Sequence, residues 1–424
     1  MPHDSTLVFA VMALVALAAC DGRAAEQEQP LNPNSHLRGT FANCRLRFER
    51  EKKGHVAFIG GSITEMNGYR PMVCEMLKKR FPQTEFTFTD AGIASTCSTT
   101  GAFRLESDVL SKGPVDLFFV EFAVNDDQDA HHARRECMRG MEGIVRHCLK
   151  HNPAMDIVFT YFVNPEMVEI IKSGKTPLPI AAHEDVAAHY GISTVNLAKE
   201  VTEQIQAGKL TWEKFGGTHP APFGNAICAG MIEEMLNAAW KNPLPADAER
   251  RGGSRTAPTS PAEPLDPLNY GNGRFIDPAK AQAKSGWTLG VPEWKKLKGA
   301  CRERFLKVPI LSVEQASCLL AGGTPAPLAE EPGAELTLAF SGTAIGAYVL
   351  AGPDAGIVEA SIDGGALKSV DLLHAFSGGL HYPRTVMFDA DLAPGEHTLR
   401  LRVADRKNPR SSGHAARIVQ FAAN

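Results

Sequence analysis

The residues best suited to chemistry follow an apolar run at positions 56–59, where the chain reads Val-Ala-Phe-Ile-Gly-Gly-Ser. Such a run, followed by Gly60 and Gly61, predicts a buried strand that ends in a tight turn. Ser62 then lies where the strand passes into a helix. Its hydroxyl and backbone N–H would face the carboxyl edge of the sheet, where α/β proteins bind ligands. Because serine is also a favoured helix N-cap, this motif alone leaves both interpretations open.

Three later segments would bring complementary groups to the same edge. Gly92 ends a second predicted strand, Asn125 follows a third, and His219 lies in a loop that contains two glycines and a proline. Together with Ser62 they offer a nucleophile, a base and preset N–H donors, which are the parts that ester cleavage requires. Taken singly, Gly92 and Asn125 are also explained by turns, and a lone histidine is more often structural than catalytic.

The order Gly-Gly-Ser, Gly, Val-Asn-Asp and Thr-His-Pro resembles that of the SGNH (GDSL-type) hydrolases, and the match extends over residues 55–240. The resemblance implies that Ser62 is the nucleophile and His219 the general base. It also implies an oxyanion hole formed by the backbone N–H groups of Ser62 and Gly92 and by the amide of Asn125. No metal or organic cofactor is implied, and the cysteines lack the spacing of a zinc or redox site.

The motif around His219 departs from this family. The family has an acid three residues before the histidine, and this chain has Gly216 there. Loss of such an acid can lower the rate by ~10⁴. A Ser–His dyad, a weakly active site, and a substitute acid (Glu213, Asp126 or Asp127) are therefore all open.

Three polar residues follow Ser62 closely: Glu65, Asn67 and Arg70. They could line a substrate cleft beside the serine. A cluster of charges at the start of a helix is an equally good interpretation.

Residues 55–242 alternate between strand and helix patterns. Short β-branched or aromatic runs predict strands, and apolar residues at near-3.6 spacing predict helices. The predicted strands are 56–59, 84–89, 115–122, 156–162 and 193–197, and the predicted helices are 71–81, 134–150, 180–190 and 226–240. This alternation predicts a mostly parallel sheet covered on both faces. The family resemblance makes it a flavodoxin-like three-layer α/β/α hydrolase domain.

The remainder of the chain changes character. Residues 243–267 hold six prolines and predict a linker. Residues 268–424 read as short strands separated by Gly, Pro and Asp turns, which predicts a separate antiparallel, jelly-roll-like β-sandwich. Its side chains Tyr348, Phe376, Tyr382, His374, His381 and Arg384 could contact sugar, although a core role for the aromatic residues is equally good. Trp287 and Trp294 could join the two domains.

The N-terminus predicts export. Residues 1–25 resemble a signal peptide: an apolar run at 7–19 is too short to span a bilayer, and Leu-Ala-Ala-Cys ends in Cys20 as in a lipobox. Residues 26–54 form an N-terminal extension. Ala16-Leu17-Ala18 is also a site for ordinary signal cleavage, so lipidation of Cys20 and simple secretion are both open. We expect a periplasmic or extracellular protein, with membrane contact only if Cys20 carries a lipid anchor. A net charge of −4 gives no support for nucleic-acid binding.

These features predict an exported serine ester hydrolase that removes small acyl groups, acetyl above all, from a poly- or oligosaccharide. The substitution at Gly216 keeps a second hypothesis open, a glycan-binding protein on a degenerate hydrolase scaffold. A lipid-directed esterase or acyltransferase is a weaker third hypothesis, because residues 55–240 show no exposed amphipathic lipid-binding helix.

Overall fold

A six-stranded sheet forms the centre of the N-terminal part of the chain. The computed structural model describes residues 31–244, 263–284, 286–313 and 333–424. The predicted signal peptide, Cys20 and most of the predicted linker lie outside these residues. The strands are β1 (Ser35–His36), β2 (Lys53–Gly60), β3 (Glu85–Gly92), β4 (Leu117–Glu121), β5 (Asp156–Thr160) and β6 (Ser193–Val195). Their order is β1-β6-β5-β4-β2-β3, and β2 to β6 run parallel, which confirms the predicted parallel sheet.

Helices cover the sheet. They are α1 (Ala42–Glu49), α2 (Ser62–Glu65), α3 (Tyr69–Arg80), α4 (Ser98–Asp108), α5 (Arg134–His151), α6 (Pro165–Lys172), α7 (Leu178–His189), α8 (Leu197–Gln206), α9 (Trp212–Phe215) and α10 (Pro222–Ala239). The four predicted helices correspond to α3, α5, α7 and α10. Helix α4 was not predicted because its residues 98–105 are buried on every side, so they carry no amphipathic period. Among the described residues, no helix is both long and apolar enough to cross a bilayer.

Two antiparallel sheets form the C-terminal part. Their strands are β7 (Arg274–Ile276), β8 (Gln282–Ala283), β9 (Thr288–Gly290), β10 (Ile310–Val313), β11 (Glu335–Gly342), β12 (Ile345–Ala351), β13 (Ile357–Ile362), β14 (Lys368–Asp371), β15 (Tyr382–Asp389), β16 (Gly395–Val403) and β17 (Ala416–Ala423). One sheet has the order β15-β12-β17-β10-β9, with β7 beside β17, and the other has the order β14-β13-β16-β11-β8. Their inward-facing side chains share one apolar core. The predicted antiparallel sandwich is confirmed.

The sandwich packs tightly against the α/β part, and residues 32–424 form one compact unit. The Tyr270 ring lies 4.9 Å from that of Phe103. Residues 263–267, assigned to the linker from their composition, are docked on α5, where Asp266 is buried and forms an ion pair with Arg139 at 3.1 Å. Trp287 lies in the core of the sandwich rather than between the two parts.

Candidate active site

Ser62 and His219 meet at the carboxyl edge of the parallel sheet. Strand β2 ends at Gly60 and helix α2 begins at Ser62, as the Gly-Gly-Ser motif predicts. The Ser62 Oγ lies 2.7 Å from Nε2 of His219. The N-cap of α2 is Gly61, without a side-chain cap, so the serine hydroxyl does not cap the helix. A hydroxyl within hydrogen-bond distance of an imidazole is the arrangement of an activated nucleophile.

The loop that carries His219 depends on glycine. Gly216 and Gly217 follow α9 with φ angles of 102° and 85°, a left-handed conformation that favours glycine. A Cβ on Gly216 would lie 2.0 Å from the backbone nitrogen of Ala221. This turn therefore excludes a side chain at the position where the family has its acid.

The substitute acids do not contact His219. Asp126 is fully buried, accepts hydrogen bonds from Ser98 and lies 2.8 Å from Nε2 of His183. Asp127 accepts from Asn164 at 2.8 Å. Both were predicted as candidates because they lie at the same sheet edge, but their carboxylates are hydrogen-bonded to residues other than His219.

Glu213 is exposed, and within the described part of the chain no hydrogen bond joins it to His219. The second ring nitrogen of His219, Nδ1, likewise has no hydrogen-bond partner there. The arrangement is therefore a Ser–His dyad.

Asn125 lies directly beside Ser62. It is buried at the start of a π-helical turn, Asn125–Asp129, that follows β4, and such turns often occur at functional sites. A Cβ on Gly61 would lie 2.0 Å from Asn125 Oδ1, so the glycine lets the amide approach the serine turn. The predicted residues Ser62, His219 and Asn125 are thus brought together.

Gly92 is less well suited to its predicted role. It packs so closely against α2 that a Cβ would lie 2.2 Å from the Glu65 nitrogen. Its N–H donates to Oδ1 of Asp90 at 3.0 Å, so in this structure the donor is engaged.

Ser95, three residues later, follows β3 and was not selected by sequence analysis. It adopts a left-handed backbone with a φ of 74°, and among the described residues its N–H has no hydrogen-bond partner. The unusual feature of this position is a positive φ at a non-glycine residue, and φ cannot be read from the sequence.

Residues 58–227 match the model of the GDSL-like lipase/acylhydrolase family. These residues form a GDSL-like acylhydrolase domain. No curated protein matches the chain. Two crystal structures of a two-domain esterase (CEX) active on acetylated mannans are similar in fold. One, co-crystallised with mannopentaose, has a TM-score of 0.68 at 21% identity and covers 92% of this chain and 96% of its own. The other has a TM-score of 0.68 at 22% identity, over 92% and 97%.

The predicted cleft residues of the GDSL-like domain each have a partner within the described part of the chain. Glu65 accepts a hydrogen bond from the Ala94 N–H at 3.1 Å. Arg70 forms an ion pair with Asp90 at 2.7 Å. Asn67 is exposed and accepts a weak bond from Arg70. Glu65 and Arg70 thus bind the end of β3 and the residues that follow it.

Glu121 is a buried carboxylic acid below the Ser62 turn, and sequence analysis did not select it. Its Oε2 accepts from Thr64 Oγ1 at 3.3 Å, and the Gly61 N–H also donates to it. Burial raises the pKa of Glu121 to about 8, although these two hydrogen bonds oppose the shift. The side chain is therefore neutral in the folded protein at pH values where the unfolded chain ionises it.

Glu121 makes stability depend on pH. Its pKa is raised from 4.5 to about 8 on folding, so its contribution to stability is complete below pH 4.5 and is lost between pH 4.5 and 8. We expect the free energy of unfolding of the wild type to fall with pH in this window, relative to Glu121→Gln, by up to about 1.4 kcal/mol per pH unit. Denaturant unfolding of both proteins at pH 5 and pH 8 measures this. Parallel pH profiles would contradict the assignment.

A residue of the β-sandwich supports Asn125. The Tyr382 hydroxyl donates to Oδ1 of Asp129 at 2.5 Å, and Nδ2 of Asn125 donates to Oδ2 of the same carboxylate at 2.7 Å. His374 Nε2 lies 2.7 Å from the Asp129 backbone oxygen, and its ring stacks on Tyr382 with centroids 4.1 Å apart. Residues of the β-sandwich therefore hold in place the π-helical turn that carries Asn125.

Tyr382→Phe should lower kcat by about tenfold and leave KM nearly unchanged. Phenylalanine keeps the ring stack but removes the hydrogen bond to Asp129, and a charge-assisted bond of this kind contributes about 1.5–3 kcal/mol. Steady-state hydrolysis of p-nitrophenyl acetate measures both constants.

Tyr348→Phe is the matched control for this variant. Tyr348 is equally buried, and among the described residues its hydroxyl has no hydrogen-bond partner. An equal effect of the two substitutions would mean that Tyr382 acts only through stability.

The residues that were predicted to contact sugar differ in their exposure to solvent. Tyr348 and Tyr382 are buried, as their core interpretation predicts, and His381 is fully buried. Phe376 is 51% exposed. Trp294 packs its ring edge against His381 at 5.0 Å.

Two groups of residues have donor atoms close enough to hold a metal ion. Cys97, Asp126 and His132 form one group, and Asp126, Cys137 and His183 form the other. Both share Asp126, whose pKa is held below its usual range by His132 and His183 although burial alone would raise it. Because its oxygens already accept from Ser98, this carboxylate is satisfied by protein donors. The groups are therefore explained by a buried hydrogen-bond network.

Proposed function

We propose that this chain is an exported serine esterase that removes acetyl groups from an acylated poly- or oligosaccharide. The observation that carries the proposal is the 2.7 Å contact between Ser62 Oγ and His219 Nε2 beside the Asn125 amide. The fold shared with a two-domain esterase active on acetylated mannans supports the choice of substrate. Export rests on the sequence of residues 1–25.

The reaction uses these residues in two steps. His219 Nε2 accepts the Ser62 proton while Ser62 Oγ attacks the acyl carbon, and His219 then gives the proton to the departing sugar hydroxyl. Water, deprotonated by His219, next attacks the acyl-serine and releases the acid and the free Ser62 hydroxyl.

The charge that develops on the acyl oxygen needs donors that are already in place. The Ser62 N–H and the Asn125 amide supply two of them. The third predicted donor, the Gly92 N–H, donates to Asp90 in this structure, so its use as an oxyanion donor requires release of that bond.

Release of acetate from acetylated mannan and from p-nitrophenyl acetate tests this function, together with labelling of Ser62 by a fluorophosphonate probe. We expect hydrolysis of both substrates and labelling at Ser62. A strong preference for long-chain esters would instead indicate a lipid-directed enzyme.

A second candidate function follows from the missing acid. A dyad without an orienting carboxylate is also consistent with a weakly active or non-catalytic protein that binds glycans. Binding on a glycan array, combined with a Ser62 that does not react with the fluorophosphonate, would favour this candidate.

A further inference from the structure

A cavity of about 260 Å³ lies between the GDSL-like domain and the β-sandwich. Ser95, Asp129 and Glu136 contribute to one wall, and Tyr382 and Arg384 contribute to the other. Because Asp129 also binds Asn125, the cavity adjoins the proposed acyl site. Cavities between two packed domains are common ligand sites.

Arg384 stands out in this cavity because no described residue pairs with its charge. Among the described residues its guanidinium forms no hydrogen bond and no ion pair. Burial lowers the pKa of Arg384. A guanidinium that faces a cavity without a protein acceptor can donate to an anionic group that enters the cavity.

The carboxylates around the cavity already accept hydrogen bonds from groups other than Arg384. Asp129 accepts from Tyr382 and Asn125, and Glu136 accepts from the Tyr270 hydroxyl at 2.8 Å. Farther out, the two Asp371 oxygens accept from the Leu373 N–H and the Asn408 amide. Arg384 is thus a charged donor of this cavity that has no acceptor among the described residues.

We propose that this cavity binds a carboxylate group through Arg384. The planar guanidinium offers two parallel N–H donors that match the two oxygens of a carboxylate. Two sources have this chemistry: an acidic sugar of the glycan, and the free acetate that deacetylation would release. The proposal concerns the substrate or the product of the esterase, and in that respect it rests on the proposed function.

Ligand-observed NMR titrations test the site in the full chain carrying Ser62→Ala, so binding is measured without turnover. The probes are D-glucuronate, D-glucose and acetate. We expect at least one carboxylate to bind at least tenfold more tightly than glucose, and Arg384→Gln to remove this preference. Tighter binding of glucuronate than of acetate identifies an acidic sugar, whereas equal or tighter binding of acetate identifies the product.

Arg410→Gln is the matched control, because Arg410 is an exposed arginine of the same sandwich, outside the cavity. Arg384→Lys keeps the charge but not the two-pronged geometry, so it should bind more weakly than wild type, and it carries the test if Arg384→Gln does not fold. Absence of any carboxylate preference, or a preference that survives both Arg384 substitutions, would overturn the proposal. Esterase assays on the wild type decide the proposed function separately, because binding in Ser62→Ala does not require catalysis.

Discussion

Ser62→Ala should lower kcat for p-nitrophenyl acetate by between about 10²- and 10⁶-fold. In a complete triad, loss of the serine costs about 10⁶ in kcat. Among the described residues no carboxylate is hydrogen-bonded to His219, and absence of that acid can itself cost about 10⁴, which would leave only about 10² to lose. The size of the decrease therefore measures how far the dyad compensates for the acid that the Gly216 turn excludes.

Stopped or continuous assays of the purified full chain measure this effect. Ser173→Ala is a suitable control, since this exposed serine is the C-cap of α6 and its hydroxyl donates to the Ile170 oxygen. Thermal unfolding should be nearly unchanged in both variants. Hydrolysis at the wild-type rate in Ser62→Ala would exclude Ser62 as the nucleophile.

Asn125→Ala should lower kcat by about 10²- to 10³-fold with little change in KM. This is the usual cost of removing one oxyanion donor, because its hydrogen bond to the acyl oxygen is stronger in the transition state than in the ground state. The amide is also held in place by Asp129 at 2.7 Å, so its geometry is preset. The same kinetic assay gives both constants.

The control for Asn125→Ala is Asn237→Ala, at an exposed position near the end of α10. A change confined to KM in Asn125→Ala would contradict an oxyanion role. The double variant with Tyr382→Phe provides a further test. If Tyr382 acts through Asn125, adding Tyr382→Phe to Asn125→Ala should produce almost no further decrease in kcat.

The sequence by itself determined the fold class and three of the proposed catalytic residues. Apolar runs at 56–59 and 115–122 could only be buried strands, and the turns after them place Ser62 and Asn125 at one edge. The hairpin at Asp363–Gly365 was predictable because Asp-Gly favours its left-handed backbone, which the φ values of 53° and 76° at 363 and 364 confirm. The sequence was sufficient to predict strands and turns whose conformation depends on residues that are close together along the chain.

Only the tertiary structure decided which polar groups face one another. The carboxylates of Asp126 and Asp127 come from the expected loop, but His183 and Asn164, distant in sequence, bind them and so remove them from His219. Three other features likewise depend on long-range packing. Burial raises the pKa of Glu121, Arg384 has no charged partner among the described residues, and Tyr382 donates to Asp129. Hydrogen-bond partners depend on proximity in three dimensions. The spacing of residues along the chain does not predict which distant residues come into contact.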